Sequence, residues 1–383
     1  MAGDLIEKEA SIYMKRDNIH FSWNKALSYD KIWNFATTSR EAGKSTATAL
    51  MIFNAFIREG RPSVIVKRRI ADMTATFIED FAKTINEWIP EEKQIQLVYM
   101  KGDLKSGIID VKMCSIDESP TYAQIKKMPV FIRVVALSSA SGRVKSSILE
   151  KVKYMFFDEF ICNITGNNEK YLKNEAFIFN EQYSTYNRHT TKYGLPPIKV
   201  LMAGNPYSFY NPYFEYYEVP TSKLKPGAFI VGPNYVVDCW QPCEELKEKI
   251  LKANPNYQFS IYAEYAVAGS AIYDKNIKIQ KFEPKGFKLK YVFKIGDKYI
   301  SLHKGKADDY IWWCCQHDNT WINKMGKRKI VVFNFQDMVD GSSMLGGAER
   351  VELYPLKEAM RNRTITFNCI GAFYNLQEIY SAI

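Results

Sequence analysis

The segment from Thr38 to Thr46 constrains the fold of this chain more than any other. It follows an apolar run from Lys31 to Thr37 and ends in a Gly-Lys-Ser-Thr core. Loops of this type turn their backbone N–H groups toward phosphate, and the helix that opens at Gly43 would add the positive end of its dipole. The pattern therefore predicts a strand, a phosphate-binding loop and a helix in succession.

The residues of this loop have distinct expected roles. Lys44 would reach the β- and γ-phosphates of ATP, and Ser45 would hold Mg²⁺. Thr38 occupies the first position, where the common pattern has glycine, and a chance Gly-Lys-Ser-Thr sequence before an amphipathic helix is the alternative interpretation. The residues expected to contact the nucleotide are Ser39, Arg40, Glu41, Ala42, Gly43, Lys44, Ser45 and Thr46.

A second apolar strand supplies the acidic partner of the loop. The run from Tyr154 to Phe157 is followed by Asp158 and Glu159. Asp158 would bind Mg²⁺, usually through water, and Glu159 would polarise an attacking water. Two carboxylates at this place fit hydrolysis better than phosphoryl transfer to an alcohol. The sequence therefore predicts an ATPase that uses ATP and Mg²⁺.

The order of apolar segments predicts an α/β fold. Helical periodicity alternates with apolar runs as far as Ala203, which favours a mainly parallel sheet between helices. Just past that strand, Asn205 is a candidate sensor of the γ-phosphate and the attacking water, and an Asn-Pro turn is the alternative. The expected strands are Lys31–Thr37, Ser63–Arg68, Val130–Leu137, Val152–Phe157 and Lys199–Ala203, with a hairpin from Ile95 to Lys112, and the expected helices are Ile6–Arg16, Lys44–Glu59, Met73–Trp88 and Lys170–Tyr186.

The pattern changes after residue 220. Proline and glycine punctuate a connector, two helical stretches follow it, and short strands dominate from Ile277 onward. We expect an ATPase domain over 1–220, a linker or lid over 221–272, and a smaller α/β domain over 273–383. The later expected elements are helices at Glu244–Lys252, Tyr257–Ala268, Pro355–Arg361 and Gly371–Ile383, and strands at Phe287–Ile295, Lys298–His303 and Tyr310–Gln316.

Composition narrows the class of protein. The chain has 383 residues, of which 46% are hydrophobic, so it can bury a substantial core. No apolar run approaches the roughly 18 residues of a membrane span, and the start lacks a signal-peptide pattern, so we expect a cytoplasmic protein. Seven cysteines without paired spacing favour reduced thiols. Cys314, Cys315 and His317 crowd together, but their spacing suits no tetrahedral zinc site, and buried thiols are the better interpretation.

The positive charge is concentrated near the end of the chain. The net charge is +10, and residues 271–383 contribute +6 of it, from 18 Lys and Arg against 12 Asp and Glu. Two lysine-rich clusters are of the kind that contacts a polyanion backbone without reading its sequence, and a solvated face is the alternative. Their members are Lys275, Lys278, Lys281, Lys285, Lys288, Lys290, Lys324, Lys327, Arg328 and Lys329.

Four segments together resemble the DNA-packaging motor ATPases of small tailed bacteriophages with protein-primed linear genomes, which are relatives of the large terminase subunit. The segments are Ser28–Ile32, Ser39–Ser45, Phe157–Ile161 and Asn211–Phe214. The resemblance implies a RecA-like additional-strand ATPase domain followed by an RNase H-like domain that has lost its nuclease site. It also implies a homomeric ring, generally of five subunits, that docks on the portal of a prohead in the host cytoplasm and drives double-stranded DNA inward. A structural packaging RNA is a further possible partner.

The resemblance also implies roles for individual residues. Arg40 matches the family's loop arginine, which contacts or senses the γ-phosphate. Family motors complete their active sites from a neighbouring subunit, and Arg188 best matches the arginine that acts in this way. Lys145 matches a second basic residue at that interface, with Arg143 as its competitor. For the adenine ring, the stacking candidates are Tyr29 and Trp33, and core packing is the alternative for both.

The sequence of the last domain argues against nuclease activity. Two-metal nucleases need several converging carboxylates on strand ends, and the expected strands Phe287–Ile295 and Lys298–His303 contain none. Asp297 falls in the turn between them, and adjacent Asp308 and Asp309 would point in opposite directions in a strand. We expect an inactive nuclease fold that grips DNA, portal or RNA. The alternatives are a terminase with an active nuclease, a helicase, and a metabolic kinase, whose arginine-rich lid has no counterpart between residues 223 and 237.

Overall fold

The computed structural model of the protein forms two compact units, Met1–Ile272 and Tyr273–Ile383. The structure does not describe the expected segment Ile6–Arg16, most of Tyr257–Ala268 or more than half of Gly371–Ile383. Individual residues of the sequence analysis that also lie outside the described residues are Arg143, Lys145, Lys275, Asp297, Asp309, Lys324, Lys327, Arg328 and Lys329. The structure describes residues 19–100, 105–139, 149–163, 171–209, 211–255, 267, 269, 271, 278–281, 283, 285–295, 298–308, 310–317, 354–362, 364–369, 371–373 and 375–376.

A large, mostly parallel sheet organises the first unit, as the sequence predicted. Its described strands lie in the order β3-β4-β5-β2-β6-β7-β1-β9-β8. The five inner pairings from β5 to β9 are parallel, whereas β3, β4 and β8 pair antiparallel at the two edges. The strands are β1 (Trp33–Thr37), β2 (Ser63–Lys67), β3 (Ile95–Val98), β4 (Ile108–Ser115), β5 (Ile132–Ala136), β6 (Tyr154–Asp158), β7 (Lys199–Gly204), β8 (Phe229–Val231) and β9 (Tyr235–Asp238).

Helices connect these strands, and their ends follow local sequence signals. The helix after β1 ends at Gly60, which adopts a left-handed conformation with φ of 63°, as a terminating glycine commonly does. The helix predicted at Lys170–Tyr186 instead runs from Glu175 to Thr191. The helices of this unit are α1 (Asn24–Leu27), α2 (Lys44–Glu59), α3 (Ala75–Asn86), α4 (Tyr122–Lys127), α5 (Glu175–Thr191), α6 (Pro212–Tyr216) and α7 (Glu244–Ala253).

Part of the segment expected to be a linker or lid, over 221–272, instead belongs to the large sheet. Strand β9 pairs in parallel with β1, and β8 pairs antiparallel with β9. The proline and glycine residues that suggested a linker lie in the turns around these two short strands. Val236 and Val237 are fully buried, which is why the segment belongs to the sheet and to the core.

The central strands are buried along their length. All five residues of β1 and all five of β5 are inaccessible to solvent or nearly so. Continuous apolar strands of this type are typical of parallel sheets that are covered on both faces. The sheet is therefore a rigid platform for the loops that follow its strands.

The second unit contains a smaller mixed sheet in the order β10-β14-β13-β12-β11. Strands β11, β12 and β13 form an antiparallel meander, and β14 pairs in parallel with both β13 and β10. The short strand β14 was not predicted, because three residues carry little periodicity. The elements are β10 (Lys278–Ile279), β11 (Phe287–Ile295), β12 (Lys298–Gly305), β13 (Trp312–His317), α8 (Tyr354–Arg361) and β14 (Ile365–Phe367).

One face of this smaller sheet forms its own apolar core, in which Phe293, Leu302, Trp312 and Cys314 pack with helix α8 through Leu356. Among the helices described for the two units, none has the length and apolar character required to cross a membrane.

Candidate nucleotide-binding site

Three neighbouring strands of the large sheet end at the same edge. Thr37 at the end of β1 lies opposite Gly204 at the end of β7, and Asp158 at the end of β6 lies opposite Ala203. The loops after parallel strands share one edge of a sheet, which is where such folds bind their ligands. The sheet therefore gathers the predicted loop, the predicted acidic pair and Asn205.

The loop is anchored at both of its ends. The Thr38 N–H donates to the Gly204 carbonyl at 3.2 Å, and the Phe21 N–H donates to the Ala42 carbonyl at 2.9 Å. Gly43 has φ of 79°, a conformation that a side chain would strain, and helix α2 begins at the next residue. Ala42 is buried in the apolar core, so its packing fixes this part of the loop against the protein interior.

Lys44 is held at the centre of the site by three acceptors. Its Nζ donates to Thr38 Oγ1 at 2.9 Å, to the Ser39 carbonyl at 3.1 Å and to Asn205 Oδ1 at 3.0 Å. Burial lowers the pKa of Lys44 to about 8, and the nearby carboxylates of Asp158 and Glu159 partly oppose this. Thr38 stands at the position where the common pattern has glycine. It thus contributes a hydroxyl that accepts a hydrogen bond from Lys44.

Ser45, in the first turn of α2, faces Asp158 at the end of β6. The Ser45 hydroxyl donates to Asp158 Oδ2 at 3.2 Å, and the Glu159 N–H donates to the other oxygen, Oδ1, at 3.1 Å. A hydroxyl and a carboxylate are the hard oxygen ligands that Mg²⁺ prefers. The donor set therefore fits the predicted metal ion, with Ser45 and Asp158 as its holders.

Glu159 adopts an unusual backbone conformation at the end of β6. Its φ is 57°, in a region that non-glycine residues rarely enter, and its side chain is exposed at the site. Such conformations persist where the surrounding structure enforces them. Arg68 enforces this one: both of its Nη atoms donate to the Glu159 carbonyl at 3.2 Å, and Nη2 also donates to the Phe160 carbonyl at 3.0 Å.

Arg68 belongs to a buried charged network that sequence reasoning missed. Its Nε lies 3.0 Å from an oxygen of Glu175, a residue that is only 1% exposed, and the Tyr213 hydroxyl donates to the same carboxylate at 2.8 Å. Burial disfavours the arginine charge, but the Glu175 carboxylate outweighs it and raises the Arg68 pKa above its ordinary value. The available signal in the sequence was an arginine at the end of the apolar run Ser63–Arg68.

The remaining loop residues connect the site to other segments. Arg40 is exposed and its Nη2 donates to the Tyr207 hydroxyl at 3.2 Å, two residues beyond Asn205. Glu41 turns outward, where its Oε1 accepts a hydrogen bond of 3.1 Å from the Asn254 amide. Thr46 is half-buried in the first turn of α2.

The structure does not bring Arg188 to the site of its own chain. Asn187 and Thr190 accept hydrogen bonds of 3.0 Å from the backbone N–H groups of Ile198 and Val152, which precede β7 and β6. The end of α5 therefore lies at the amino edge of the sheet, and the nucleotide loop lies at the carboxyl edge. A five-residue strand separates the two edges by about 16 Å. Arg188 is exposed there, in the last turn of the helix.

The two adenine candidates differ in environment. Trp33 is buried at the start of β1, with ring centroids 4.8 Å from Tyr183 and 4.3 Å from Tyr217. Trp33 is a core residue at the sheet edge away from the loop. The prediction that it stacks on adenine is therefore wrong, and the core-packing alternative is confirmed. Tyr29 is 46% exposed and packs on Phe229 at 5.3 Å, and its stacking role stays a prediction.

The chain has identifiable relatives. Residues 15–225 match the family described as Podovirus DNA encapsidation protein (Gp16). The DNA packaging proteins of Bacillus phages PZA and phi29 are each 22% identical to it over 205 residues, which is 53% of this chain. That match spans only about half (51%) of the length of these relatives.

The fold also has a solved counterpart. A chain of the bacteriophage Phi-29 viral genome packaging motor assembly aligns with a TM-score of 0.58 and 16% identity, covering 95% of this chain and 99% of that one. At this identity the likeness shows a shared fold. The family match covers residues 15–225 of 383, more than half of the sequence, so the chain belongs to the Podovirus DNA encapsidation protein (Gp16) family.

Proposed function

We propose that this protein is the ATP-hydrolysing subunit of a motor that moves double-stranded viral DNA into a preformed prohead. The observation that carries the proposal is the convergence of Lys44, Ser45, Asp158 and Glu159 at one edge of the large sheet, with Ser45 Oγ 3.2 Å from Asp158 Oδ2. Because the chain belongs to a DNA encapsidation family, we propose DNA as the molecule that the motor moves.

The residues of the site divide the work of hydrolysis. Lys44 would bind the β- and γ-phosphates, and Arg40 would contact the γ-phosphate from the exposed side of the loop. Ser45 and Asp158 would hold Mg²⁺, which neutralises charge on the phosphate oxygens when bound. The Glu159 carboxylate would orient the attacking water and accept its proton, because it directly follows β6 and lies near enough to Lys44 to oppose the lowering of the lysine pKa.

Asn205 couples nucleotide occupancy to the rest of the sheet in this proposal. Its amide oxygen accepts a hydrogen bond from Lys44 at 3.0 Å. A phosphate that engages the lysine would compete for that bond and leave the amide to contact the γ-phosphate or the water. The Tyr207 N–H donates to the Asn205 carbonyl at 2.8 Å, and the Tyr207 hydroxyl accepts a hydrogen bond from Arg40. A movement of Asn205 would therefore be transmitted through Tyr207 to Arg40 in the loop.

We further propose that a neighbouring subunit completes the site, in a homomeric ring of five. The position of Arg188 supports its action on a neighbour, because an exposed arginine at the amino edge cannot serve the carboxyl edge of the same sheet. The number of five subunits rests on the family resemblance alone. Lys145, or its competitor Arg143, is the second candidate on the resemblance alone. An arginine from a neighbour can accelerate such hydrolysis by about 10³- to 10⁵-fold.

For the second unit we propose a nuclease-like fold of the RNase H type without nuclease activity, which contacts DNA, the portal or a packaging RNA. The mixed sheet and its lack of Asp and Glu in the described strands β10 to β14 support this. Contacts to phosphate suit a cargo of any sequence and weaken as salt rises. The described lysines of the first predicted cluster are all exposed, namely Lys278, Lys281, Lys285, Lys288 and Lys290, and Lys306 is exposed as well.

ATP turnover in the presence of DNA tests the proposal. We expect hydrolysis by the purified protein to rise when double-stranded DNA or proheads are added, and the stimulation to fade with salt. A Lys44→Ala variant provides the baseline without a functional loop. Hydrolysis by a strict monomer that is indifferent to DNA and proheads would contradict the motor.

A further inference from the structure

A cluster of metal-ligating side chains lies in the second unit, far in sequence from the nucleotide loop. His303, Cys315 and His317 each offer one ligand atom, and these atoms all lie within 4.8 Å of one another. We propose that these three residues bind a Zn²⁺ ion. The proposal concerns the second unit alone and does not depend on the ATPase assignment.

The pairing of two strands creates the cluster. In the β12 and β13 ladder, Ser301 lies opposite Cys315, and the pairs on either side are Tyr299 with His317 and His303 with Trp313. Side chains two residues apart in a strand share a face, so Cys315 and His317 project together with His303 beside them.

The same alternation corrects the grouping suggested by the sequence. Cys314 points to the opposite face, where it belongs to the apolar core of the unit. The adjacent Cys314 and Cys315 therefore cannot act together. The third ligand is His303, which sequence spacing could not supply because it comes from the neighbouring strand.

The ligand atoms already converge on one point. The Ser301 hydroxyl lies 2.9 Å from Nε2 of His303 and 2.7 Å from Nε2 of His317. A hydroxyl has one proton, so it donates to one imidazole and accepts from the other. A metal ion bonded to both nitrogens would replace the hydroxyl as their shared partner.

The ligand set selects the ion. Two imidazole nitrogens and a thiolate suit Zn²⁺, which bonds nitrogen at about 2.0–2.1 Å and sulfur at about 2.3 Å in tetrahedral geometry. Cys315 and His303 are buried, whereas His317 is half-exposed, so solvent can reach the fourth position from the His317 side. The ion would fasten β12 to β13 and stabilise the second unit.

Zinc content and cobalt substitution test the site on the full-length, untagged protein. We expect about one Zn²⁺ per chain after dialysis with limiting zinc, and a thiolate-to-metal absorption band when Co²⁺ replaces it. Cys315→Ser should abolish the band and reduce zinc to background. His317→Gln, at the half-exposed position, should weaken binding while circular dichroism shows an unchanged fold.

Two further variants distinguish metal binding from a cluster that is held by hydrogen bonds alone. Cys243→Ser, which removes an exposed thiol elsewhere, should retain both zinc and the cobalt band. Ser301→Ala removes the hydroxyl but no ligand, so zinc should still bind. Zinc at background level in the wild-type protein, or equal zinc in wild type and Cys315→Ser, would overturn the proposal.

Discussion

The guanidinium group of Arg68 holds the backbone carbonyl of Glu159 through two hydrogen bonds of 3.2 Å. Glu159 is the residue expected to direct the attacking water, and its left-handed backbone is costly without support. Arg68 is held in turn by Glu175 and, through it, by Tyr213. The conformation of the catalytic candidate is therefore fixed by the interior of the protein.

Removal of Arg68 should destabilise the protein strongly. Arg68→Ala leaves the Glu175 carboxylate buried without its charged partner, and breaking a buried ion pair in this way typically costs about 3–5 kcal/mol of unfolding free energy. Urea denaturation measures the loss. Arg58→Ala, at an exposed position of α2, is the matched control and should change stability by less than about 0.5 kcal/mol. Equal losses in the two variants would argue against a structural role for the pair.

Stability should depend on pH through Asp238 at the end of β9. Burial raises the pKa of its carboxyl to about 6, with Lys25 opposing in part, against about 3.9 in an unfolded chain. Between these values the native state holds a proton that the unfolded state lacks, so the unfolding free energy falls as pH rises from about 4 to about 6. Asp238→Asn should remove a change of up to about 3 kcal/mol from that window. Denaturation curves across the window measure it, and an identical slope in the variant would exclude Asp238 as the source.

Arg188 should act on a neighbouring subunit. Arg188→Ala and Lys44→Ala should each be inactive alone, but a mixture of the two should recover part of the ATPase activity. An interface that joins an intact loop to an intact arginine can form only in mixed rings. Steady-state ATP turnover of the mixture, compared with each variant alone, measures the recovery. No recovery in rings shown to be mixed would remove Arg188 from this role.

The second unit should not cut DNA. Supercoiled plasmid incubated with the protein and Mn²⁺ should remain supercoiled on a gel, since strands β11 to β13 carry no carboxylate that could hold the metal pair. Cleavage that Asp309→Ala abolishes would restore the active-nuclease alternative.

The sequence predicted those elements whose formation depends on residues close by in the chain. The loop, helix α2 and the acidic end of β6 depend on neighbouring residues, so the helix predicted from Lys44 to about Glu59 was confirmed. The mostly parallel sheet followed from the alternation of apolar strands with helical segments.

Long-range contacts could not be predicted in the same way. The pairing of β9 with β1 joins segments about 200 residues apart, and it turned an expected linker into part of the sheet. Arg68 meets Glu175 across 107 positions, and His303 meets Cys315 only through strand register. No local pattern encodes these meetings, because tertiary packing decides them.

In this proposal the phosphate-binding loop and the end of β6 form one ATP-hydrolysing site, and the Glu159→Gln variant is its sharpest test. The change preserves the size of the side chain but removes the carboxylate that accepts the proton. We predict ATP binding near the wild-type level together with DNA-stimulated turnover reduced by about 10²- to 10⁴-fold. Glu118→Gln, an exposed glutamate after β4, is the control and should leave turnover unchanged. Wild-type turnover in Glu159→Gln would show that the end of β6 does not supply the group that activates water.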